Sequence, residues 1–422
     1  MERPQYSTKG KILNDPIYGF ISLPAGIVLD IIDHPYFQRL RHIKQLGLSH
    51  LVYPGALHTR FHHAIGAMHL MGDAIESLRS KRIAISEEEA QGVKLAILLH
   101  DVGHGPFSHT LEHSLMDGVT HEDISAMVMD RLNEQFNGAL ELGISIFRDN
   151  YSLKPLHKLV SSQLDMDRLD YLMRDSFYSG VAEGVVGSDR IIKMLNIRGD
   201  ELVVEQKGIY SIEKFIVARR LMYWQVYLHK TVVSAEFMLI KVLQRAKELA
   251  ANGVELFCSP VLREFLYGRI KGDDLVNDPK LLDLFMQLDD HDIMGAVKVW
   301  AGHSDRVLSI LSKHLVERRI FKLVLQDDPI DPVDIRAIEE RLIKEWGLNE
   351  EEVKYFVLSD HIVNNAYDPK DDQINILMKD GSLKELGEAS DNLNILALSM
   401  PVKKYFIAFP KEISSPLVGP SH

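Results

Sequence analysis

Apolar side chains recur three or four positions apart over most of the chain up to about residue 316, as in helices with one buried face. This spacing predicts helices over residues 26–46 (with a break at His34-Pro35), 63–78, 86–101, 121–136, 154–176 and 209–251. The helix that begins near Ser86 has the clearest limits. Ser86 and the glutamates after it form an N-cap with an acidic first turn, whereas Gly103, Gly105 and Pro106 stop or bend the chain after His100-Asp101.

The pattern differs on either side of this helical part. Residues 11–23 are typical of short extended segments broken by turns. Beyond residue 316, β-like runs occur between Asp-Pro and Gly turns, at Phe321–Leu325, Ile374–Met378 and Lys404–Phe409. We therefore predict a mainly α fold, with a helical catalytic domain over residues 1–255, a helical continuation over 256–316 and a small α+β region over 317–422.

Composition excludes several classes of protein. The 422 residues are too many for one ordinary core, so at least two domains are expected. A formal net charge of -12 argues against a nucleic-acid partner, which needs clustered Lys and Arg. Cys258, the only cysteine, excludes a disulfide framework and any multi-cysteine metal site. No apolar run approaches the roughly 20 residues that span a bilayer, and no signal peptide is recognisable, so we expect a cytoplasmic protein.

Histidine is concentrated in one part of the chain, since 11 of the 19 lie between His42 and His121. His100-Asp101 follows an apolar run and so should be buried, where uncompensated polar groups are costly. A hydrogen bond between His100 and Asp101 would offset that cost. A divalent ion bound by imidazole nitrogen and carboxylate oxygen accounts better for the concentration of histidines in this part of the chain. Two neighbours on a helix cannot surround an ion, so other helices must contribute ligands, and we predict His63 and Asp167. We interpret His34, His50, His58 and His69 as loop or surface residues.

Further polar residues near these positions could bind phosphate oxygens or transfer protons. His104 lies four positions after His100, and if the helix continues that far it faces the same way. Glu112 or His121 could orient its imidazole, which would act as a general acid or as a base. Arg60 and Arg168 adjoin the predicted ligands and suit phosphate oxygens, whereas we interpret Arg220 as a surface ion-pair residue. Tyr171 and Asp175 continue the helical face of Asp167 and could present a ring to a sugar and a carboxylate to a hydroxyl.

The chain resembles a known family over roughly residues 8–316. The matching segments are KILNDPIYGFI, FQRLRHIKQLG, YPGALHTRFHHAIG, LLHDVGHGPFSHTLE, VTHEDIS, LDMDRLDYLMRDSFYSG, RRLMYWQVYLHK, LDDHDIMGAVKVW and RRIFKLVL. Together they resemble the HD-domain superfamily of metal-dependent phosphohydrolases. More narrowly, they resemble the deoxynucleoside triphosphate triphosphohydrolases, which include bacterial enzymes and the catalytic part of the human sterile-alpha-motif and HD-domain protein. His62 and Glu112 depart from the family pattern, which usually has Glu before the first ligand and, in the human enzyme, Asp at the second position.

The resemblance implies an HD-domain catalytic core with its metal site at about residues 60–175. It implies metal ligation by His63, His100, Asp101 and Asp167, and catalysis by His104 with His121 and Glu112 in support. Contacts to the triphosphate are implied for Arg60, His109, Arg168, Arg219, Tyr227 and Lys230. Contacts to the deoxyribose are implied for Gln45, Tyr171 and Asp175, with Tyr171 where a 2′-hydroxyl would clash.

The same resemblance implies regulation and assembly. Lys11, Asp33, Gln38 and Arg41 match positions that bind an activating guanine nucleotide between subunits of a tetramer, so a homo-oligomer (dimer or tetramer) is expected. The ion would be Mn²⁺, Mg²⁺ or Fe, with Zn or Ni as alternative occupants.

The predicted reaction is hydrolysis of a dNTP to deoxynucleoside and triphosphate. The alternatives are an HD phosphohydrolase for another nucleotide (a monophosphate, a cyclic nucleotide or an alarmone) and a non-catalytic nucleotide- or single-strand-binding protein.

Overall fold

The computed structural model describes residues 7–108, 116, 118–364, 366–368, 372–391, 398 and 400–413. The helices in this part are α1 (Ile27–Asp33), α2 (Pro35–Gln38), α3 (Arg60–Ser80), α4 (Glu87–Leu99), α5 (His121–Gln135), α6 (Glu141–Phe147), α7 (Lys154–Val160), α8 (Met166–Ser179), α9 (Ser188–Met194), α10 (Ile209–Met222), α11 (Lys230–Ala251), α12 (Pro260–Tyr267), α13 (Gly272–Asn277), α14 (Pro279–Phe285), α15 (Asp290–Trp300), α16 (Arg306–Val316), α17 (Pro332–Trp346), α18 (Glu350–Val353) and α19 (Leu386–Ala389). The strands are β1 (Lys11–Asp15), β2 (Gly19–Leu23), β3 (Leu195–Arg198), β4 (Glu201–Glu205), β5 (Lys322–Gln326), β6 (Leu358–Asn364), β7 (Asn375–Leu377), β8 (Leu383–Glu385) and β9 (Val402–Phe409). The predicted mainly α fold is confirmed.

Helix α3 packs on both α4 and α8 and so brings the predicted ligands together. Helix α3 begins at Arg60, three residues before the predicted start, so Arg60 and His63 both lie in its first turn. His62 takes the place of the family's glutamate at this helix end. Its Nδ1 accepts the backbone N–H of Thr59 at 3.2 Å, which is the contact that a Glu side chain makes in a capping box.

Helix α4 begins where the sequence predicts, because Ser86 and Glu89 cap each other. The Glu89 N–H donates to Ser86 Oγ at 3.1 Å, and the Ser86 N–H donates to Glu89 Oε2 at 2.7 Å. The helix ends at Leu99, with His100 as its C-cap. The predicted extension of the helix into His100-Asp101 is therefore wrong, and the helix does not reach His104, because Asp101, Val102 and Gly103 form a turn before it.

The single helix predicted over residues 154–176 is wrong, because the structure has α7 and α8 with a loop between them. Ser161 is extended, and Asp165 restarts the helix by accepting the Arg168 N–H at 2.7 Å. The predicted helix over residues 209–251 is likewise α10 and α11, separated by a π-helical turn at Tyr223–Tyr227 and an extended His229. Residues 39–42 form a 3₁₀ helix, so the first predicted helical stretch ends at His42 instead of residue 46.

The strands form small sheets, and one of them joins distant parts of the chain. Strands β1 and β2 pair as a hairpin, whereas β5, β9 and β6 form an antiparallel sheet in that order. A third sheet has the order β3-β4-β7-β8. In it, β7 from the region after residue 317 runs parallel to β4, with Val204 opposite Ile376. The three predicted β-like runs correspond to β5, β7 and β9, so the predicted small α+β region contacts the helical core through this sheet. None of the described helices is long and apolar enough to cross a bilayer.

Candidate metal centre and adjoining cavity

The four predicted metal ligands come together at the point where α3, the end of α4 and the start of α8 meet. Nε2 of His63 lies 3.0 Å from Oδ1 of Asp167 and 3.4 Å from Nε2 of His100. Nε2 of His100 lies 3.4 Å from Oδ1 of Asp101 and 3.5 Å from Oδ1 of Asp167. An ion with bonds of about 2.0–2.2 Å holds neighbouring ligand atoms about 3.0–3.6 Å apart, so these spacings fit one divalent ion.

The hydrogen bonds around the two imidazoles also fit a cation. Nδ1 of His63 lies 2.8 Å from Oδ2 of Asp170, and Nδ1 of His100 lies 2.6 Å from the Ile97 carbonyl oxygen. Because both partners only accept hydrogen bonds, each Nδ1 carries a proton, so the Nε2 lone pairs face each other whenever the two rings are neutral. Two lone pairs and two carboxylates facing one point repel each other unless a positive charge lies among them.

The electrostatics of the cluster likewise favour positive charge. Burial alone would lower the pKa of His63, but its hydrogen bonds with Asp167 and Asp170 raise that pKa to about 10. Burial would raise the pKa of Asp101, yet the charges of His100 and Arg60 hold it well below its usual range. Imidazole nitrogens with carboxylate oxygens are a donor set for divalent ions such as Mn²⁺, Fe²⁺ or Zn²⁺.

A buried chain of charges orients His63 from behind. Asp170 accepts two hydrogen bonds from Arg174, each 2.9 Å long, and Arg174 donates to Oδ2 of Asp15 at 2.8 Å. The side chains of His63, Asp170 and Arg174 have no exposed surface. A carboxylate on the far nitrogen of a ligating histidine fixes its tautomer and increases its basicity. These residues were not predicted from the sequence, although Asp170 and Arg174 are four positions apart on α8, a spacing that favours an ion pair.

Gly66 on α3 makes room for this arrangement, which leads to our first prediction. A Cβ atom at this position would overlap Oδ1 of Asp170 and the guanidinium of Arg174 and would lie 2.8 Å from Cγ of Asp170. We expect Gly66→Ala to weaken binding of the divalent ion by about 10- to 100-fold, because His63 loses its orienting carboxylate. Titration calorimetry with Mn²⁺ measures this.

Gly72 on the same helix provides the matched control. A Cβ there meets Lys94 Cε at 3.6 Å, an ordinary contact. Gly72→Ala should leave ion affinity unchanged and stabilise the helix by up to about 1 kcal/mol. Equal ion affinity in the two variants would show that the Asp170–Arg174 pair does not support the ligand.

His104 lies beside the four predicted ion ligands and is buried, with 2% of its surface exposed. Its Nε2 is 3.4 Å from Oδ1 of Asp101, and its ring stacks on that of His121 with centroids 3.8 Å apart. Burial and the charge of Arg60 lower the pKa of His104 well below its usual value, which favours the neutral imidazole. Glu112 and His109, the other residues predicted here, lie outside the described residues.

A cavity of about 570 Å³ opens beside the ligands, a volume typical of small-molecule sites. The predicted residues that line it are Gln45, Arg60, Asp101, His104, His121, Asp167, Arg168, Tyr171, Asp175 and Tyr227. Arg60 is paired with Asp101 and donates to Ser108 Oγ at 2.8 Å. Arg168 donates through Nε to the Ser162 carbonyl at 2.6 Å. Oε1 of Gln45 is buried and has no hydrogen-bond partner among the residues that the structure describes.

Two neighbouring side chains hold Asp175, on the side of the cavity where a deoxyribose is predicted to bind. Nε2 of His58 lies 2.8 Å from Oδ1 of Asp175, and the hydroxyl of Tyr227 donates to Oδ2 at 2.8 Å. His58 lies in a loop, as predicted, but it is not a surface residue. Only 2% of it is exposed, and its ring stacks on Tyr178. The carboxylate of Asp175, 117 residues away in sequence, accounts for this burial.

Some predicted residues lie away from the cavity wall, and others on the wall were missed. Arg219 is buried, donates to Oε1 of Gln163 at 2.9 Å and does not line the cavity, and Lys230 is exposed at the start of α11. The missed lining residues are Leu46, Gly47, Ser49, Phe107, Ser108, Tyr223, Leu228, Glu236, Phe237 and Ile240. Most of them are apolar or small, and only the fold distinguishes such residues from the core.

Similar proteins are known. A family model described as HD domain matches residues 60–172, and one described as HD associated region matches residues 186–256. The crystal structure of a phosphohydrolase from Bacteroides thetaiotaomicron is 55% identical, with a TM-score of 0.92, and covers 96% of this chain and 100% of that one. The uncharacterized Bacillus subtilis protein YwfO is 31% identical over 90% of this chain and 88% of its own length. A deoxynucleoside triphosphate triphosphohydrolase SAMHD1 homolog from Dictyostelium discoideum is 32% identical over 58% of this chain, which spans about half, 51%, of that protein.

Proposed function

Because the chain belongs to the HD-domain family of phosphohydrolases, we propose that it hydrolyses deoxynucleoside triphosphates to deoxynucleoside and intact triphosphate. The observation that carries this proposal is the composition of the cavity of about 570 Å³ beside the proposed ion ligands. Asp101 and Asp167, the guanidinium groups of Arg60 and Arg168, and the aromatic ring of Tyr171 all border it. Similarity to a protein named as a triphosphohydrolase supports the same substrate class.

In this proposal the side chains around the cavity have different roles. A divalent ion bound by His63, His100, Asp101 and Asp167, which we propose to be Mn²⁺, Mg²⁺ or Fe, would supply Lewis-acid polarisation of a phosphoryl oxygen. Arg60 and Arg168 hold the phosphate chain and offset its charge, and we also propose contacts from Arg219 and Lys230, which do not line the cavity. His104, supported by His121, transfers a proton at the 5′-oxygen or the attacking water.

The deoxyribose would lie against α8. Tyr171 occupies the space of a 2′-hydroxyl in this arrangement, and Gln45 Oε1 accepts a hydrogen bond from the ligand. Asp175, held by Tyr227 and His58, still has acceptor lone pairs for a 3′-hydroxyl. The cavity would thus select deoxynucleotides over ribonucleotides.

The proposed substrate class can be tested by comparing the hydrolysis rates of different nucleotides. We expect the metal-loaded protein to hydrolyse dNTPs at least about tenfold faster than NTPs, because a hydroxyl that meets Tyr171 loses binding energy. Nucleoside monophosphates, cyclic nucleotides and an alarmone should be poor substrates, because they lack the full phosphate chain. Initial rates measured with each compound singly check this. Preferred turnover of any of those three, or oligonucleotide binding without dNTP turnover, would contradict the proposal.

We also propose an activating guanine nucleotide site at Lys11, Asp33, Gln38 and Arg41, within a homo-oligomer. In the single chain these four residues form two pairs, Lys11 with Asp33 and Arg41 with Gln38. Nζ of Lys11 lies 2.6 Å from Oδ2 of Asp33, and Nε of Arg41 donates to Oε1 of Gln38 at 2.8 Å. A nucleotide would have to replace these contacts. Added dGTP should then increase both dATP turnover and the molar mass measured by light scattering.

A further inference from the structure

The loop over residues 161–165, between α7 and α8, sets the position of Arg168. The carbonyl oxygen of Ser162 accepts Nε of Arg168 at 2.6 Å. The Ser162 N–H donates to Oδ2 of Asp165 at 2.8 Å, and Oδ1 of Asp165 caps the helix that carries Asp167 and Arg168. A shift of this loop would therefore move the guanidinium of Arg168 at the cavity wall.

A residue more than 200 positions away holds the same loop. Asp372 precedes β7, and its Oδ2 accepts the backbone N–H of Gln163 at 3.0 Å. Its Oδ1 pairs with Nζ of Lys158 on α7 at 2.6 Å. The parallel pairing of β7 with β4 places Asp372 here, since Asn375 lies opposite Val203.

The two hydrogen bonds meet on one peptide group. The carbonyl of Ser162 and the N–H of Gln163 belong to the same planar unit, so a partner that fixes the N–H also fixes the direction of the carbonyl. A carboxylate that accepts from the N–H polarises the peptide and strengthens the bond that its carbonyl oxygen accepts. The side chain of Gln163 extends this connection, because its Oε1 accepts Nη1 of Arg219 at 2.9 Å.

We propose that Asp372 is a positioning residue for phosphate binding, acting through the Ser162–Gln163 peptide on Arg168. The C-terminal region thereby completes the phosphate-binding side of a cavity that α3, α4 and α8 build. This inference rests on the proposed function, because it takes Arg168 to contact the phosphate chain. It does not involve the ion ligands, so ion binding should be unaffected.

The experiment compares Asp372→Ala, Asp372→Asn and Lys158→Met in the full chain. Asp372→Ala should raise KM for the dNTP and weaken binding of inorganic tripolyphosphate, each by about tenfold, since a charge-assisted hydrogen bond is lost. The value of kcat, Mn²⁺ affinity and deoxynucleoside affinity should change less than about twofold. Asp372→Asn keeps an acceptor for the Gln163 N–H and should recover most of the loss. Lys158→Met removes only a half-exposed ion pair and should behave as wild type.

The outcomes separate this inference from the proposed function. Wild-type protein that binds no tripolyphosphate would refute the phosphate assignment itself. Tripolyphosphate affinity unchanged in Asp372→Ala, or weakened equally with deoxynucleoside and Mn²⁺ affinity, would overturn the positioning role alone. If Asp372→Ala does not fold, Asp372→Leu replaces it, because a leucine side chain also offers no acceptor to the Gln163 N–H. Unchanged tripolyphosphate affinity in a folded Asp372→Leu variant would likewise overturn the inference.

Discussion

Replacing His100 by alanine is expected to abolish divalent-ion binding and turnover together. His100 contributes one of two neutral imidazole nitrogens that face each other 3.4 Å apart, and its loss leaves carboxylates and a single imidazole around the ion. Turnover should fall by at least about a thousandfold, because the ion supplies polarisation that no remaining side chain replaces. Metal analysis of the purified variant and initial rates at saturating Mn²⁺ measure the two losses.

The control for His100→Ala is His69→Ala. His69 lies on α3 near the ligands in sequence, but its side chain is 29% exposed and contacts only the neighbouring Tyr18 ring and Asp73 among the interactions described here. This variant should retain the ion and full activity. A His100→Ala protein that keeps turnover, or that loses turnover while its ion affinity stays at the wild-type value, would contradict the assignment of His100 as a ligand.

Replacing His104 by alanine is expected to separate catalysis from metal binding. The imidazole is buried at the cavity, stacks on His121 and lies next to Asp101, but it is not among the four proposed ligands. Removing a general acid or base costs about 10²- to 10⁴-fold in kcat, whereas the ion should remain. Single-turnover rates and Mn²⁺ titration, made on the same preparation, distinguish the two effects.

An exposed histidine provides the comparison for His104→Ala. The side chain of His291, at the start of α15, is 74% exposed, and His291→Ala should leave kcat unchanged. If His104→Ala had wild-type kcat, His104 would have no role in proton transfer. If it lost the ion together with activity, His104 would belong to the ligand set instead.

Local sequence signals predicted the elements that position the site. Ser86 with Glu89 marks the start of α4, and the apolar run to Leu99 predicts the burial of His100-Asp101. These features depend on contacts within about one helical turn, so they can be recognised without the fold. The same holds for Tyr171 and Asp175, which share a helix with Asp167 and line the cavity as that spacing requires.

Contacts between distant segments could not be predicted in this way. The burial of the loop residue His58 depends on Asp175, which α8 places against it. The need for glycine at position 66 depends on Asp170 and Arg174, which occupy the space beside it. The break in the predicted helix 154–176 depends on Asp165, whose capping role competes with an apolar pattern that continues through it. Asp372 is the extreme case, since its partner Gln163 is 209 positions away.

The most direct test of the central claim is the product ratio from a single dNTP under controlled metal loading. Chelator-stripped protein should be inactive with dGTP, and Mn²⁺ should restore formation of deoxyguanosine and tripolyphosphate in a one-to-one ratio, both measured by ion-exchange chromatography. Pyrophosphate with deoxynucleoside monophosphate, or orthophosphate with the diphosphate, as the initial products would contradict the account, as would turnover that survives removal of the ion.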